Sequence, residues 1–188
     1  MGKLAVFFSM LLLLIIVSCK KEYSFERGNF STATDTIHVP VIINDFPICP
    51  ACITNTITEL SQWSFKSGNS VLCGEADTAI INLERNAFTF FGPSSCSGDT
   101  GMVITVYLDT EMLNRDRANL TVKAAFYYYD GITPSYIFMS PANSIFSVTI
   151  SNYVHQTKIA TGTFQGSVIR SNGTGASITS GKFKVKLI

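Results

Sequence analysis

Charge, histidine and long hydrophobic runs are all scarce in this sequence. Only 14% of its 188 residues are charged, and 14 basic side chains nearly balance 13 acidic ones. Such a chain lacks the positive electrostatic field that draws proteins to nucleic acids. His38 and His155 are the only histidines, and no serine or cysteine stands in a nucleophile motif. We therefore predict a non-enzymatic protein with no nucleic-acid partner, no cofactor and no metal site.

The longest apolar run lies near the first residue and is short for a membrane span. Leu4–Val17 is apolar except for Ser9, and it follows the positive charge of Lys3. As a helix these residues would rise about 21 Å, against roughly 30 Å for the hydrocarbon core of a bilayer. The pattern is typical of a cleaved export signal at residues 1–18. Cleavage there would remove one of the 14 basic residues, which leaves 13 against 13 acidic ones.

The residues around the predicted cleavage site resemble a bacterial lipobox. Residues 16–19 read IVSC, in which a small residue directly precedes Cys19. The resemblance implies that Cys19 becomes the new N-terminus and carries two or three acyl chains, enough for stable anchoring. Lys20 is not the aspartate that resembles an inner-membrane retention signal. We therefore expect a lipid anchor in the outer membrane, on its periplasmic face or at the cell surface. The alternative is an ordinary secretory signal.

Beyond Cys19, a polar tether at residues 19–36 precedes a single predicted domain at residues 37–188 in which strand signals dominate. The clearest strand is the last, where three lysines alternate with Phe183, Val185 and Leu187. About ten strands with almost no helix predict an antiparallel β-sandwich, with a calycin-like β-barrel as the alternative. The predicted strands are residues 37–43, 63–66, 78–83, 87–91, 102–108, 120–129, 136–139, 145–154, 158–170 and 176–187.

Two C-terminal segments resemble a pattern of small uncharacterised lipoproteins of the Bacteroidota type. Residues 160–166 read ATGTFQG, and residues 178–183 read ITSGKF. The resemblance covers the export signal and roughly the last thirty residues. It implies an all-β domain and a location in the cell envelope, and it brings no catalytic residues with it.

Four cysteines remain once the lipidation site is set aside. An even number in an exported chain predicts two disulfides, for which three connectivities exist. Cys73 and Cys96 flank a predicted hairpin whose ends lie close together. We therefore expect a Cys73–Cys96 disulfide, with Cys49 and Cys52 joined in a local loop.

The C-x-x-C spacing of Cys49 and Cys52 allows two further interpretations. A redox-active dithiol normally has its first cysteine at a helix N-terminus, but residues 53–58 form a poor helix. A zinc site would need all four cysteines, yet Cys73 and Cys96 do not form a second C-x-x-C pair. Both interpretations are weaker than structural disulfides in an oxidising compartment.

One aromatic cluster has the chemistry to bind a sugar. Tyr127, Tyr128, Tyr129 and Asp130 are consecutive, and alternate residues of a strand point to opposite faces. Tyr127 and Tyr129 should therefore share one face, with Tyr128 on the other. A strand with one core face and one surface face also explains the cluster, because tyrosine favours strands. The ligand-binding candidates are the rings of Trp63, Tyr127 and Tyr129, for stacking, and the carboxylate of Asp130, for hydrogen bonds with hydroxyl groups.

These observations predict a lipid-anchored cell-envelope protein that works as a binding or structural module. Its partners would be the membrane, through Cys19, and a glycan or an envelope protein. A carbohydrate-binding module of the outer-membrane surface is the alternative, and an envelope thiol oxidoreductase using residues 49–52 (CPAC) is a third hypothesis. Disulfides that resist mild reductant would separate the first two hypotheses from the third.

Overall fold

The computed structural model describes an antiparallel all-β domain over residues 46, 49–53, 59–108, 112–133 and 135–188. Two short 3-10 helices lie at Pro50–Cys52 and Met112–Asn114. No helix in these ranges is long and apolar enough to cross a membrane. The strands are β1 Gln62–Ser67, β2 Ser70–Glu75, β3 Thr78–Ile81, β4 Ala87–Pro93, β5 Thr100–Tyr107, β6 Arg117–Asp130, β7 Ser135–Met139, β8 Phe146–Val154, β9 Ile159–Arg170 and β10 Gly175–Lys186.

The predicted all-β class is confirmed, and nine of the predicted strands correspond to observed ones with ends that differ by a few residues. The export signal, the tether and the predicted strand at residues 37–43 lie outside the described residues, as does most of a short helical pattern at residues 53–60. Strand β2 is absent from the predicted strands. It pairs with β1 through a turn at Gly68 and Asn69, and Gly-Asn between two strands is a recognised hairpin signal.

The ten strands form one sheet in the order β2-β1-β10-β9-β7-β6-β5-β4-β3, and β8 pairs with β6 and β9 beside β7. Two links then join strands near the opposite ends of this sheet. Gly74 of β2 forms a bridge with Ser94, just beyond β4. Ile188, beyond β10, donates its N–H to Ala79 of β3 at 2.8 Å and accepts from the N–H of Ile81 at 2.9 Å. The sheet therefore curls until its ends meet, and we call the place where Gly74 and Ser94 pair the seam.

Aromatic side chains fill the interior of the curled sheet. Phe65 of β1 packs edge-on against Phe126 of β6, with ring centroids 5.4 Å apart, although the two strands are not neighbours. Phe90 of β4 stacks on Phe183 of β10, with ring centroids 4.9 Å apart, and these two strands are not neighbours either. The inner faces therefore contact each other directly, as in a sandwich, while the sheet is continuous, as in a barrel. The large buried rings are Trp63, Phe65, Phe88, Phe90, Phe126, Tyr128, Phe138, Phe146, Tyr153, Phe164 and Phe183.

The alternation predicted for the last strand is confirmed. Phe183, Val185 and Leu187 are buried, whereas Lys182 and Lys184 are half-exposed and Lys186 is exposed. The period of two is the signature of a strand with one face on the core and one face in solvent.

Truncation of a ring that bridges the core should destabilise the domain strongly. We expect Phe126→Ala to lower the free energy of unfolding by about 3–5 kcal/mol, because the cavity left beside Phe65 and Phe146 cannot collapse completely. Urea denaturation followed by the fluorescence of Trp63, the single tryptophan, measures the change.

The matched control for this variant is Tyr107→Ala, since Tyr107 is an aromatic residue with 52% of its surface exposed. Its loss should change the free energy of unfolding by less than about 0.5 kcal/mol. Equal destabilisation by the two variants would contradict a core built on contacts across the sheet.

Candidate functional site

All four cysteines of the domain converge at the seam, where residues 49–53 lie against β2. One disulfide joins Cys49 to Cys96, and the other joins Cys52 to Cys73. Cys73 belongs to β2, whereas Cys96 follows β4. The end strand β2 and the loop after β4, the strand next to the opposite end, are therefore bonded covalently to the same short segment. We call these four residues the sulfur cluster.

Backbone and serine hydrogen bonds hold the sulfur cluster in place. The N–H of Cys52 donates to the carbonyl of Cys49 at 3.0 Å, which closes the turn between them. The carbonyl of Cys73 accepts from the Ser95 N–H at 2.9 Å and from the Ser94 hydroxyl at 3.2 Å. The Ser94 hydroxyl in turn accepts from the N–H of Cys96 at 3.1 Å. Hydrogen bonds from the main chain and from the Ser94 side chain thus hold Cys73 and Cys96 in position.

Two disulfides are present, as the sequence predicts, but the predicted pairing of Cys73 with Cys96 is wrong. The hairpin of β3 and β4 does bring these two residues close together. The carbonyl of Cys73 accepts hydrogen bonds from Ser94 and Ser95, which directly precede Cys96. However, residues 49–53 pack at the same place and supply a partner to each of them. Sequence separation could not reveal this, since it does not tell where an irregular segment packs.

The sulfur atoms of the two disulfides also touch each other. Cys52 Sγ lies 3.3 Å from Cys49 Sγ and 3.3 Å from Cys96 Sγ, neither of which is its bonded partner. The four cysteines therefore come together, although their spacing in the sequence does not resemble that of a four-cysteine zinc site. Each sulfur is nevertheless part of a disulfide, so in this state none offers the thiolate that zinc requires. In the structure the cluster is a pair of adjacent disulfides.

A second feature is an aromatic surface on the outer face of β4 to β7. Tyr127 and Tyr129 share this face, and Tyr128 points into the core, as predicted. Tyr128 is buried, which raises the pKa of its phenol, and its hydroxyl lies 3.0 Å from Thr100 Oγ1. We define the tyrosine surface by the outward residues that stand side by side in register: Phe91, Val103, Tyr127, Tyr129, Tyr136 and Met139.

The rings of the tyrosine surface are held at defined angles. Tyr127 and Tyr136 pack with centroids 6.0 Å apart and planes inclined by 53°. The ring of Tyr129 lies across Gly101 on the neighbouring strand, so closely that a Cβ there would collide with it. Phe91 at the far side has 37% of its surface exposed. Neighbouring side chains and strands therefore constrain the rings of Tyr127, Tyr129 and Tyr136.

Trp63 does not belong to this surface, and its prediction as a stacking residue is wrong. It is 0% exposed, and its ring stacks on Phe65 at 5.9 Å inside the core. Its indole N–H donates to the carbonyl of Glu75 at 3.0 Å. An isolated tryptophan in a strand can face either way, so the composition alone could not place it. Tyr136 is the residue that sequence reasoning missed, although its position in a predicted strand was correct.

Asp130 lies at the end of β6 and organises the turn that follows. Its carboxylate accepts from the Ile132 N–H at 3.0 Å and from the Thr133 hydroxyl at 2.9 Å. These hydrogen bonds hold the pKa of Asp130 below its ordinary value of 3.8. A carboxylate can accept further bonds, but its first role here is structural.

His155 is partly buried at the end of β8. Its Nδ1 lies 2.9 Å from the carbonyl oxygen of Leu113 and 3.1 Å from Lys158 Nζ. Its backbone N–H donates to Asp116 at 2.7 Å. The imidazole therefore contacts a main-chain carbonyl and the Lys158 amine, and no serine or cysteine side chain is among its described partners.

An open groove of about 680 Å³ lies apart from both features, beside residues 142–147. Tyr107 and Ile145 border it, and Lys123 is the one charged residue among the described residues that line it. Its polar lining consists mostly of hydroxyl and amide side chains on an open surface, and it contains no histidine, cysteine or carboxylate among the described residues that line it. The groove therefore ranks below the sulfur cluster and the tyrosine surface.

Comparisons with known protein families, with curated protein sequences and with solved structures give no match to this chain. What the domain does must be inferred from its own residues. The sulfur cluster and the tyrosine surface are the two places where its geometry is specific.

The depressed pKa of Asp130 makes a pH-dependent contribution to stability. Because the folded-state pKa lies below the unfolded-state value, this contribution is present above about pH 3.8 and is lost as the pH falls through the lower folded value. An NMR titration of the Asp130 carboxyl should give a midpoint below 3.8, and Thr133→Val should raise it by removing one donor.

Thr121→Val serves as the control for this titration. Thr121 bonds the hydroxyl of Thr149 at 2.8 Å and has no contact with Asp130 among those described. Its replacement should leave the Asp130 midpoint unchanged. A midpoint at or above 3.8 in the unmodified protein would contradict the assigned hydrogen bonds.

Proposed function

We propose that this chain is a lipid-anchored protein of the bacterial cell envelope, and that its β-domain acts by binding rather than by catalysis. The observation that carries the proposal is the combination of an export signal ending at Cys19 with two disulfides in the domain behind it. Disulfides persist in exported proteins and are rare in the reducing cytosol. The two features are independent, since one is a sequence pattern and the other a property of the fold.

The placement of reactive side chains supports binding over catalysis. In the part of the chain that the structure describes, the imidazole of His155 is bonded to the Leu113 carbonyl and lies beside Lys158. The four cysteines in this part of the chain are joined in two disulfides. General acid–base catalysis requires a titrating group within reach of a reacting atom in a cleft. The geometry instead favours a stable, cross-linked domain that presents its surfaces.

Lipid attachment at Cys19 can be tested by acyl labelling. We expect Cys19→Ala to abolish incorporation of radioactive palmitate when the full chain is expressed in a bacterium with an outer membrane, because no other residue offers the lipobox-like cysteine. Denaturing gel electrophoresis and autoradiography measure the label.

Lys20→Ala is the matched control, since it changes the next residue and keeps the thiol. It should be labelled as strongly as the unmodified chain. Equal labelling of Cys19→Ala would overturn lipidation at this position, and absence of label from every variant would favour an ordinary secretory signal.

A second candidate function, carbohydrate binding, is favoured by the tyrosine surface. Cross-strand neighbours lie about 4.8 Å apart, so the row from Phe91 through Val103 and Tyr127 to Met139 spans about 14 Å. That length suits a chain of sugar rings better than a single ring. Aromatic rings offer apolar faces for stacking, and the tyrosine hydroxyls add hydrogen-bonding groups at the edges.

Rigidity strengthens this second candidate. The ring of Tyr129 is seated over Gly101, and Tyr127 is braced by Tyr136. Groups that are fixed before binding lose little conformational entropy when a ligand arrives. The same rings also pack against each other in the absence of a ligand. Packing on the sheet therefore accounts for them as well, and a binding measurement distinguishes the two roles.

Removal of one seated ring should weaken glycan binding. On an array of bacterial and plant polysaccharides, we expect the protein to bind a polymeric glycan and Tyr129→Ala to lose about tenfold in affinity, or about 1.4 kcal/mol, a loss of the size expected for one aromatic contact. Affinity electrophoresis in gels that contain the glycan measures the change.

Tyr107→Ala provides the matched control, because Tyr107 is an exposed tyrosine at the end of β5, outside the tyrosine surface. Its affinity should equal that of the unmodified protein. Absence of binding to every glycan on the array, or an equal loss of affinity in both variants, would exclude the tyrosine surface as a glycan site.

A further inference from the structure

We propose that the sulfur cluster is a thiol–disulfide exchange site, which passes electrons from an external dithiol through Cys96 and Cys49 to the Cys52–Cys73 disulfide. The observation behind it is the contact between sulfurs that are not bonded to each other, 3.3 Å from Cys52 Sγ to Cys49 Sγ. Two structural disulfides have no need to touch. This site is independent of the lipid anchor and of glycan binding.

Exposure defines where the electrons enter. Cys96 is exposed and lies among exposed neighbours at residues 95–99, Cys73 is half-exposed, and Cys49 and Cys52 are only 8% and 2% exposed, so Cys96 is the most accessible of the four. A dithiol in solution can therefore attack Cys96 Sγ. The Cys49–Cys96 bond breaks, a mixed disulfide forms between Cys96 and the dithiol, and the electron pair leaves on Cys49 Sγ.

The released thiolate of Cys49 is already next to its target. A separation of 3.3 Å from Cys52 Sγ falls in the range of about 3–3.5 Å for groups poised to react. Attack forms a Cys49–Cys52 bond and breaks the Cys52–Cys73 bond, and the electron pair leaves on Cys73 Sγ. The Ala51 carbonyl oxygen lies 3.6 Å from Cys73 Sγ, where it can accept the S–H of the protonated product.

The second thiol of the dithiol completes the reaction. It attacks the reagent's own sulfur in the mixed disulfide, closes a cyclic disulfide and releases Cys96 as a thiol. In total, one dithiol is oxidised and two disulfides become one, Cys49–Cys52, with thiols at Cys73 and Cys96. The two electrons supplied equal the two that one disulfide accepts.

Exchange has a structural consequence at the seam. Before it, residues 49–53 are tied to β2 through Cys73 and to the end of β4 through Cys96. Afterwards both ties are gone, and the segment carries only its internal disulfide. The cluster would thus convert a reducing signal into release of this segment from the sheet.

Trapping of the first reduced species tests the proposal. The full chain is treated with one equivalent of dithiothreitol, quenched with acid, alkylated with N-ethylmaleimide and mapped by peptide mass spectrometry. We expect alkylation of Cys73 and Cys96 together with a Cys49–Cys52 bridge. Alkylation of Cys49 and Cys96 with an intact Cys52–Cys73 bridge would overturn the proposal, as would simultaneous alkylation of all four in part of the sample.

A double variant, Cys49→Ala with Cys96→Ala, removes the internal nucleophile and keeps the second disulfide. Reduction of Cys52–Cys73 by dithiothreitol should then be at least about tenfold slower than in the unmodified chain, because the advantage of an oriented intramolecular thiol is lost. Circular dichroism confirms that the variant is folded. An unchanged rate in a folded variant would overturn the relay, and the mapping of the unmodified chain decides the matter if the variant does not fold.

Discussion

Direct contact between aromatic rings on opposite inner faces of the sheet is the constraint on which the rest of this domain depends. Phe65 against Phe126 and Phe90 against Phe183 connect strands that share no backbone hydrogen bonds. Such pairs contribute about 0.5–1.5 kcal/mol each beyond the burial of their area. They require the sheet to curl, and a curled sheet brings its two ends to one seam.

Closure of the sheet explains both candidate sites. At the seam, β2 and the end of β4 meet, which places Cys73 and Cys96 side by side and leaves room for residues 49–53 to bond to both. On the outer face, the strand alternation that sends Tyr128 into the core must send Tyr127 and Tyr129 outward. Sulfur cluster and tyrosine surface are thus products of the same packing, one at an edge and one on a face.

The strands and the alternation of their side chains could be predicted from the sequence, because both depend on residues that are close together in the chain. The face of each tyrosine follows from a period of two, and the lysines of the last strand follow in the same way. The disulfide pairing and the burial of Trp63 are not local. They depend on where an irregular segment packs and on which face of β1 meets the core, and both are settled by contacts between residues far apart in the chain.

The curled sheet is closed at two places, the seam and the contact of Ile188 with β3, and this makes exchange compatible with a stable fold. One closure is covalent, through the two disulfides and residues 49–53. The other consists of backbone hydrogen bonds between Ile188 and β3, and it contains no sulfur. Disulfides stabilise chiefly by restricting the unfolded chain, whereas the buried rings stabilise the folded state directly. Loss of the covalent closure therefore lowers stability without removing the contacts that curl the sheet, and the domain can free one segment while its core and its tyrosine surface stay in place.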